Sequence, residues 1–161
     1  MNKDGGNSPS LIERVKIKQL KMNADERGML MEILREDDEI FERFGQVYVA
    51  LNYPGVIRAW HYHKLQNDFF VVVRGMIKVA LYDAREDSST KGEVNEFFLG
   101  EQNNILLRIP VGVMHGYKTI GVVPSLLLNF PTRVYNQDEP DEYRLPYDTD
   151  QIPYDWDIKF R

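Results

Sequence analysis

The sequence predicts a single all-β domain built as a sandwich or barrel of short strands. Runs rich in Val, Ile, Phe and Tyr recur along the chain, and turn-forming residues separate them. A length of 161 residues fits one domain with a core large enough to fold without covalent staples. Because the sequence contains no Cys, it excludes disulfides, thiolate zinc sites and a Cys nucleophile.

Ten runs along the chain are predicted to be strands. They are Val15 to Leu20, Met29 to Leu34, Gln46 to Leu51, Val56 to His63, Phe69 to Val73, Met76 to Tyr82, Glu93 to Leu99, Ile105 to Ile109, Tyr117 to Thr119 and Leu126 to Phe130. The Arg74-Gly75 pair between two of them predicts a hairpin turn. Many short strands at this spacing are typical of a sandwich or barrel.

The remaining segments predict one helix and two irregular ends. Asp37 to Phe44 mixes charged and apolar residues at helical spacing, and Gly45 suits a C-terminal cap, which predicts a short helix. Residues 1–11 are polar and are predicted to form a disordered arm before a domain over residues 12–161. The tail from Asn136 is rich in Pro, Asp and Tyr, and we expect an irregular segment whose aromatic residues pack on the barrel.

Charge and hydropathy narrow the possible partners. A formal net charge of −5 disfavours nucleic acid as a partner, although a pocket can still be locally basic. No apolar run approaches the length of a membrane span, and the polar start lacks a signal-peptide core. The sequence therefore predicts a cytoplasmic protein that binds neither nucleic acid nor membrane.

The histidines are the strongest functional signal. The sequence has only three, and His61 and His63 lie two residues apart in a predicted strand, so both face the same side. His115 follows a Pro-x-Gly turn at Pro110 and Gly112. This pattern predicts one shared site, and the alternative is a pair of surface imidazoles plus one hydrogen-bonded core histidine.

The spacing around these histidines resembles the cupin superfamily. The first cupin motif is matched by Gly55, His61, His63, Asp68 and Gly75, with Asp68 where the usual acid is Glu, and the second is matched in part by Pro110, Gly112 and His115. The resemblance implies a jelly-roll β-barrel.

Across most of the chain the sequence resembles the dTDP-4-dehydrorhamnose 3,5-epimerases of that superfamily. The matching segments, in order, are Asp25 to Gly28, Glu32, Gln46, Gly55 to His61, Val72 to Gly75, Ile109 to Gly116, and Asp148 through Trp156. The resemblance depends on the fact that all of these segments occur in the same order as in the family. It implies an epimerase that needs no cofactor, acts on a nucleotide-diphosphate sugar, removes a proton beside a ketone, and forms a homodimer.

The resemblance also implies roles for individual residues. His61 is the expected base, and Asp148 is expected to fix its tautomer. The expected substrate contacts are Arg27 and Arg58 at the diphosphate, Glu32 and Gln46 at the nucleoside, and His63 and His115 at the sugar. Arg58 is an odd number of residues from His61, so a bulge or a neighbouring subunit is needed to bring both to one site.

One departure concerns the general acid. The family has a Tyr in a late Leu-Tyr-Lys segment, where this chain has Leu128-Asn129-Phe130. Tyr135 is the candidate replacement, and a packing role for it is the alternative.

Three other functions stay open at this point. The run His61 to Lys64 resembles the 3,4-ketoisomerases that act on dTDP-4-keto-6-deoxyglucose. His61, His63, Asp68 and His115 form a plausible ligand set for a divalent transition metal, as in metal-dependent cupin enzymes. The missing late tyrosine is compatible with a non-catalytic sugar-binding cupin.

Overall fold

The protein consists of two antiparallel sheets and a separate hairpin. The computed structural model describes residues 10–159, and within that range it has twelve strands and no helix. The strands are β1 Lys16–Gln19, β2 Met22–Asp25, β3 Gly28–Met31, β4 Tyr48–Asn52, β5 Ile57–Tyr62, β6 Asp68–Arg74, β7 Met76–Asp83, β8 Val94–Gly100, β9 Ile105–Ile109, β10 Val113–Ile120, β11 Ser125–Asn129 and β12 Tyr143–Arg144. The all-β prediction is confirmed, and β2 and β12 are additional to the ten predicted strands.

The order of the strands sets the two walls of the barrel. The first sheet runs β1-β9-β6-β11-β4, the second runs β12-β5-β10-β7-β8, and β2 pairs only with β3. Alternate side chains from both sheets meet in a core that includes Phe70, Val72, Val79, Leu107 and Leu127. Fully burying one such side chain stabilises the fold by about 1.5–3 kcal/mol. Tight packing of this core therefore fixes the positions of the two sheets, which carry the three histidines and the residues that face them.

The predicted helix at Asp37 to Phe44 is wrong. The segment forms turns, in which the Asp38 N–H donates to the Arg35 carbonyl and the Phe41 N–H donates to the Asp38 carbonyl. The Asp38 carboxylate also accepts the Arg35 N–H at 2.8 Å, a local bond that competes with helix formation. Ile40 is buried against the outer face of the first sheet. Tertiary packing therefore favours the turn, because the turn places the Ile40 side chain in this apolar contact.

The predicted hairpin at Arg74-Gly75 is also wrong, because β6 and β7 belong to different sheets. The chain crosses there from one wall of the barrel to the other. Gly75 has φ +70°, and a Cβ at this position would lie 2.7 Å from the Pro124 carbonyl oxygen. Both the backbone conformation and the close approach therefore require glycine at this corner.

The C-terminal tail packs on the second sheet, as its aromatic residues indicated. Trp156 and Ile152 are buried with Trp60 and Met114 in a cluster outside the main core. β12 pairs with the edge of β5, and the rest of the tail is irregular.

The two ends of the chain extend beyond the described residues. Nine residues of the predicted arm, 1–9, lie outside them, as do residues 160–161. The domain is anchored from its predicted start, since Ile12 is buried and its N–H donates to the Asn95 side chain at 2.8 Å. The described chain offers no helix that could cross a membrane.

Candidate active site

The three histidines meet on the inner side of the second sheet. His61 on β5 and His115 on β10 are direct partners in the antiparallel register, and their rings are 4.0 Å apart. His63 follows the end of β5, with its ring 5.5 Å from that of His61. The predicted shared site is therefore formed, and the alternative of a surface pair at His61 and His63 is wrong for His63, which is buried.

A bulge in β5 places Arg58 on the same side as His61. His115 pairs with His61 and Tyr117 pairs with Arg58, so two residues of β10 span three residues of β5. Gly116 makes room for the bulge, because a Cβ there would lie 2.3 Å from the Ala59 Cβ. The odd spacing in the sequence is thereby resolved within one chain, and Arg58 and His61 line the same cavity.

Asp68 organises the buried end of the histidine cluster. Its Oδ2 lies 3.1 Å from His63 Nε2 and 3.4 Å from His115 Nε2, and Gln66 donates to its Oδ1 at 2.9 Å. Burial raises the pKa of Asp68, but the nearby His115 and the hydrogen-bonded His63 outweigh this and hold the pKa well below its usual value. Asp68 is therefore a buried carboxylate anion at neutral pH.

His63 is the hydrogen-bonded partner of that carboxylate. Burial lowers the pKa of His63, and the hydrogen bond to Asp68 with its negative charge raises the pKa above the ordinary value. The other ring nitrogen, Nδ1, donates to the Asp141 carbonyl. Because both nitrogens are occupied by oxygen acceptors, His63 does not have a free N–H for the sugar contact predicted from the sequence.

His61 differs from His63 in lacking a hydrogen-bond partner among residues 10–159. Burial lowers the pKa of His61 well below its ordinary value, and the nearby His115 and His63 lower it further. His61 is consequently a neutral imidazole whose nitrogens are available to a ligand. A neutral, accessible imidazole is the form that accepts a proton in general base catalysis.

The cluster opens into two adjoining cavities of about 530 and 340 Å³. Three residues line both of them: Tyr48, His61 and Glu142. Arg58 and Arg144 line the smaller cavity, which is therefore the part with two guanidinium groups. The three shared residues therefore place the two cavities side by side, and we refer to them together as the cleft.

Gln46 and Tyr135 lie in the larger cavity, as the sequence predicted for substrate-facing residues. The Gln46 Oε1 accepts the Tyr135 backbone N–H at 3.0 Å, so the strand entry and the tail segment are joined there. Tyr135 exposes 51% of its surface, and its side chain has no hydrogen-bond partner in the described part of the chain.

Arg27 and Glu32 do not reach these cavities in their own chain. Arg27 lies on the tip of the β2–β3 hairpin and forms an exposed ion pair with Asp25 at 2.5 Å. Glu32 follows β3 and pairs with Arg35 at 3.0 Å. The hairpin residues line only a shallow depression of their own.

Asp148 is likewise separate from His61. Its side chain is exposed in a turn of the tail and lines neither cavity. The physical reason is the direction of the tail, which runs antiparallel to β5 with Arg144 opposite His61 and Leu145 bonded to Trp60. Each further residue moves back along β5, so position 148 lies past His61.

Several site residues were not predicted from the sequence. The tail delivers Asp141 to His63 through its carbonyl, and Glu142 and Arg144 to the cavity walls. Tyr48 lies two residues after Gln46 in a strand, and this period-two spacing is the signal that could have placed both on the cavity side.

The four predicted metal ligands do come together. His61, His63, Asp68 and His115 each offer one donor atom, and these atoms lie within 4.8 Å of one another. Imidazole and carboxylate donors suit a divalent transition metal. A metal would have to displace the proton that His63 shares with Asp68, so metal binding and the charge pair compete for the same atoms.

Comparison with known proteins places this site among sugar-nucleotide enzymes. A family profile described as dTDP-4-dehydrorhamnose 3,5-epimerase matches residues 9–160. A probable low-salt glycan biosynthesis epimerase of Haloferax volcanii is 49% identical over 150 residues, which cover 92% of this chain and 96% of that protein. A spore coat polysaccharide biosynthesis protein of Bacillus subtilis is 45% identical over 151 residues, covering 94% of this chain and all (100%) of that protein.

The fold agrees with this grouping. The crystal structure of a dTDP sugar isomerase from Desulfovibrio desulfuricans G20 superposes with a TM-score of 0.85 at 34% sequence identity. The similarity covers 90% of this chain and 92% of the other. The similarity therefore extends over nearly the whole of both chains.

Proposed function

Because the chain belongs to the dTDP-4-dehydrorhamnose 3,5-epimerase family, we propose that it epimerises a nucleotide-diphosphate 4-keto-6-deoxy sugar beside the ketone. Reactions of this family use no cofactor. The observation that carries the proposal is His61, a neutral imidazole on the cavity wall whose nitrogens are free for a substrate. A cytoplasmic location is part of the same proposal.

The chemistry follows from the charges around His61. The ketone makes the neighbouring C–H acidic, and His61 takes that proton while the electron pair moves toward the ketone oxygen. The resulting enolate carries negative charge, and His63, whose protonated form is favoured because the hydrogen bond to Asp68 raises its pKa, lies 5.5 Å from His61, ring to ring. Positive charge near the developing enolate lowers the barrier because it is already in place before the reaction.

We assign the nucleotide to the cleft beside the sugar site. Arg58 lines the smaller cavity, and its guanidinium is held by Asn52 at 2.6 Å, which leaves its other nitrogens for a diphosphate. Gln46 lines the larger cavity and offers an amide to the nucleoside. A dTDP sugar is the substrate class that the family description supports.

We expect a homodimer, because the hairpin residues need a second subunit to contact a nucleotide. Arg27 and Glu32 do not line their own chain's cavities, yet the resemblance assigns them to the nucleotide. β4 is an edge strand whose outward residues Val49 and Leu51 are 58% and 53% exposed. An unpaired apolar edge is the kind of surface that a second subunit covers. We propose that the partner's hairpin completes each nucleotide site.

The experiment is a screen of nucleotide 4-keto sugars in deuterated buffer, read by mass shift and by proton NMR. Enzymatic deuterium incorporation at the carbon beside the ketone, together with an inverted product, is the expected result. Deuterium incorporation with transfer of the ketone to another carbon would identify a ketoisomerase. Binding without any incorporation would identify a sugar-binding protein, and would overturn the proposed function.

A further inference from the structure

The wall that faces His61 carries a buried hydroxyl. Tyr48 on β4 and Asn129 on β11 are direct partners in the register of the first sheet, whereas His61 is on the second sheet. Tyr48 lines both cavities that His61 lines. A substrate in the cleft therefore lies between an imidazole on one wall and a phenol on the other.

Strand alternation explains why Tyr48 points inward. Ala50 packs on the core between the sheets, and Asn52 is buried, so positions 48, 50 and 52 share the inner side of β4. Tyr48 still exposes 44% of its surface because β4 is an edge strand. The hydroxyl end is nevertheless desolvated, and this burial raises the pKa of Tyr48 to about 12. The phenol is thus protonated throughout the neutral range.

The hydrogen bonds of Asn129 fix the direction of the phenol proton. The Asn129 Oδ1 accepts the Phe69 backbone N–H at 3.0 Å, which determines which end of the amide is oxygen. The Asn129 Nδ2 therefore donates to the Tyr48 hydroxyl oxygen, also at 3.0 Å. Since this bond uses the oxygen as an acceptor, the hydroxyl hydrogen must donate elsewhere. Within residues 10–159 no protein acceptor takes it, and the cavity is the space that remains.

We propose that Tyr48 is the general acid that returns a proton to the substrate carbon, on the face opposite His61, and that Asn129 is its positioning residue. This inference rests on the proposed function. His61 removes the proton from carbon, and the C–H electron pair becomes the enolate double bond. The enolate carbon then takes the Tyr48 hydroxyl proton, which leaves a tyrosinate. Solvent reprotonates the tyrosinate, and the imidazolium of His61 releases its proton to solvent.

Tyr135 is the matched comparison because it is the other tyrosine in the larger cavity. It lies in the tail segment, and only its backbone N–H is held, by Gln46. Nothing in the described chain orients its hydroxyl, whereas Tyr48 is oriented by an amide that is itself fixed. The two tyrosines therefore differ in the property that stereospecific protonation requires.

The test measures deuterium exchange and epimerisation separately in Tyr48→Phe and Tyr135→Phe. In Tyr48→Phe, His61 still removes the proton and returns deuterium to the same face, so exchange continues while the inverted product falls at least 100-fold. Tyr135→Phe is expected to keep the ratio of inversion to exchange at the wild-type value, even where the lost contact in the larger cavity lowers both rates. Asn129→Asp places an acceptor beside the phenol, so it should also favour exchange over inversion. The melting temperature of each variant shows whether the fold is retained.

The outcomes separate this inference from the proposed function. Wild-type protein that exchanges no deuterium with any nucleotide 4-keto sugar would overturn both. Active wild-type enzyme with normal inversion in Tyr48→Phe would overturn the role of Tyr48 alone. Loss of inversion in Tyr135→Phe, with Tyr48→Phe unaffected, would transfer the role to Tyr135.

Discussion

The histidine cluster and the β2–β3 hairpin, both marked by sequence motifs, have opposite physical characters. Asp68 and His115 are 1% exposed, and the cluster joins distant parts of one chain, since Asp68 lies 3.4 Å from His115 and His63 bonds the Asp141 carbonyl. On the hairpin, every residue of β2 is exposed, and Arg27 pairs only with its neighbour Asp25 in a contact that is open to solvent. Exposed ion pairs of this kind stabilise a fold by at most about 1 kcal/mol.

This difference separates catalysis from binding. The proposed base His61, its neighbours His63 and Asp68, and the facing Tyr48 all come from one chain. On the hairpin side, Arg27 and Glu32 pair with residues near them in sequence, Asp25 and Arg35, and line neither cavity of the described chain. Substitutions in the histidine cluster should therefore affect deuterium exchange, and substitutions in the hairpin should affect nucleotide binding.

The largest effect is expected from His61→Asn. Asn keeps much of the size and polarity but cannot accept a proton near neutral pH, so deuterium exchange should fall by about 10²–10⁴-fold. Nucleotide affinity, measured by calorimetry, should stay close to that of the wild type because the proposed diphosphate contacts are arginines. Full exchange activity in this variant would refute His61 as the base.

Asp68→Asn tests whether the cluster is held by charge. The substitution leaves His63 without its buried counter-ion, and breaking a buried pair costs about 3 kcal/mol of unfolding free energy. Because the folded-state pKa of Asp68 is depressed, its stabilisation is present above its ordinary pKa of 3.8 and is lost as the pH falls. Because the folded-state pKa lies far below 3.8, the difference in unfolding free energy between variant and wild type, measured by denaturant unfolding, should be full at pH 7 and only begin to shrink at pH 3. Equal differences at the two pH values would contradict the charge pair.

Arg27→Ala tests the hairpin. Loss of one charge-assisted contact of about 1.5–3 kcal/mol should weaken dTDP binding by roughly one to two decades, with little change in unfolding free energy. Mixing the Arg27→Ala protein with the His61→Asn protein tests the dimer directly, because mixed dimers contain one subunit of each variant. In mixed dimers one site combines an intact His61 with an intact Arg27 from the partner subunit. Equal mixing should restore about a quarter of the wild-type sites, and no restoration would place Arg27 outside the partner's site.

The pH profile of exchange probes the same cluster with a smaller effect. A base acts in its neutral form, which exists above its pKa, and burial with the neighbouring His115 and His63 lowers the pKa of His61 below the ordinary 6.5. We therefore expect kcat/KM to stay level as the pH falls through 6.5 and to decline only in more acidic buffer. A decline centred above pH 6.5 would show that His61 is not the titrating base.

The smallest effect is expected from metal removal. The donors of His61, His63, Asp68 and His115 lie within 4.8 Å, so a metal-dependent enzyme is the sharpest rival to a proton-transfer cluster. We expect dialysis against a chelator to leave deuterium exchange unchanged, with elemental analysis confirming sub-stoichiometric metal. Loss of exchange that returns with added divalent metal would favour the metal-dependent alternative.

The sequence by itself determined the all-β class, ten of the strands and the meeting of the three histidines. Strand periodicity is a local property, and two residues separated by one position must share a face of a strand. The same reasoning failed where local signals competed with long-range packing. The segment at Asp37 to Phe44 has helical spacing, but the burial of Ile40 selects a turn. The Arg74-Gly75 pair is typical of a hairpin turn, although the chain crosses there from one sheet to the other.

Only the tertiary structure decided which distant residues face His61. Sequence spacing cannot show that β4 pairs with β11, and that pairing brings the Tyr48 hydroxyl to the Asn129 amide. Nor can it show that the tail runs backward along β5, a direction that brings Asp141 to His63 and carries Asp148 past the site. These contacts join positions up to 81 residues apart in the chain. They depend on how two sheets and a tail pack, and no local pattern records that information.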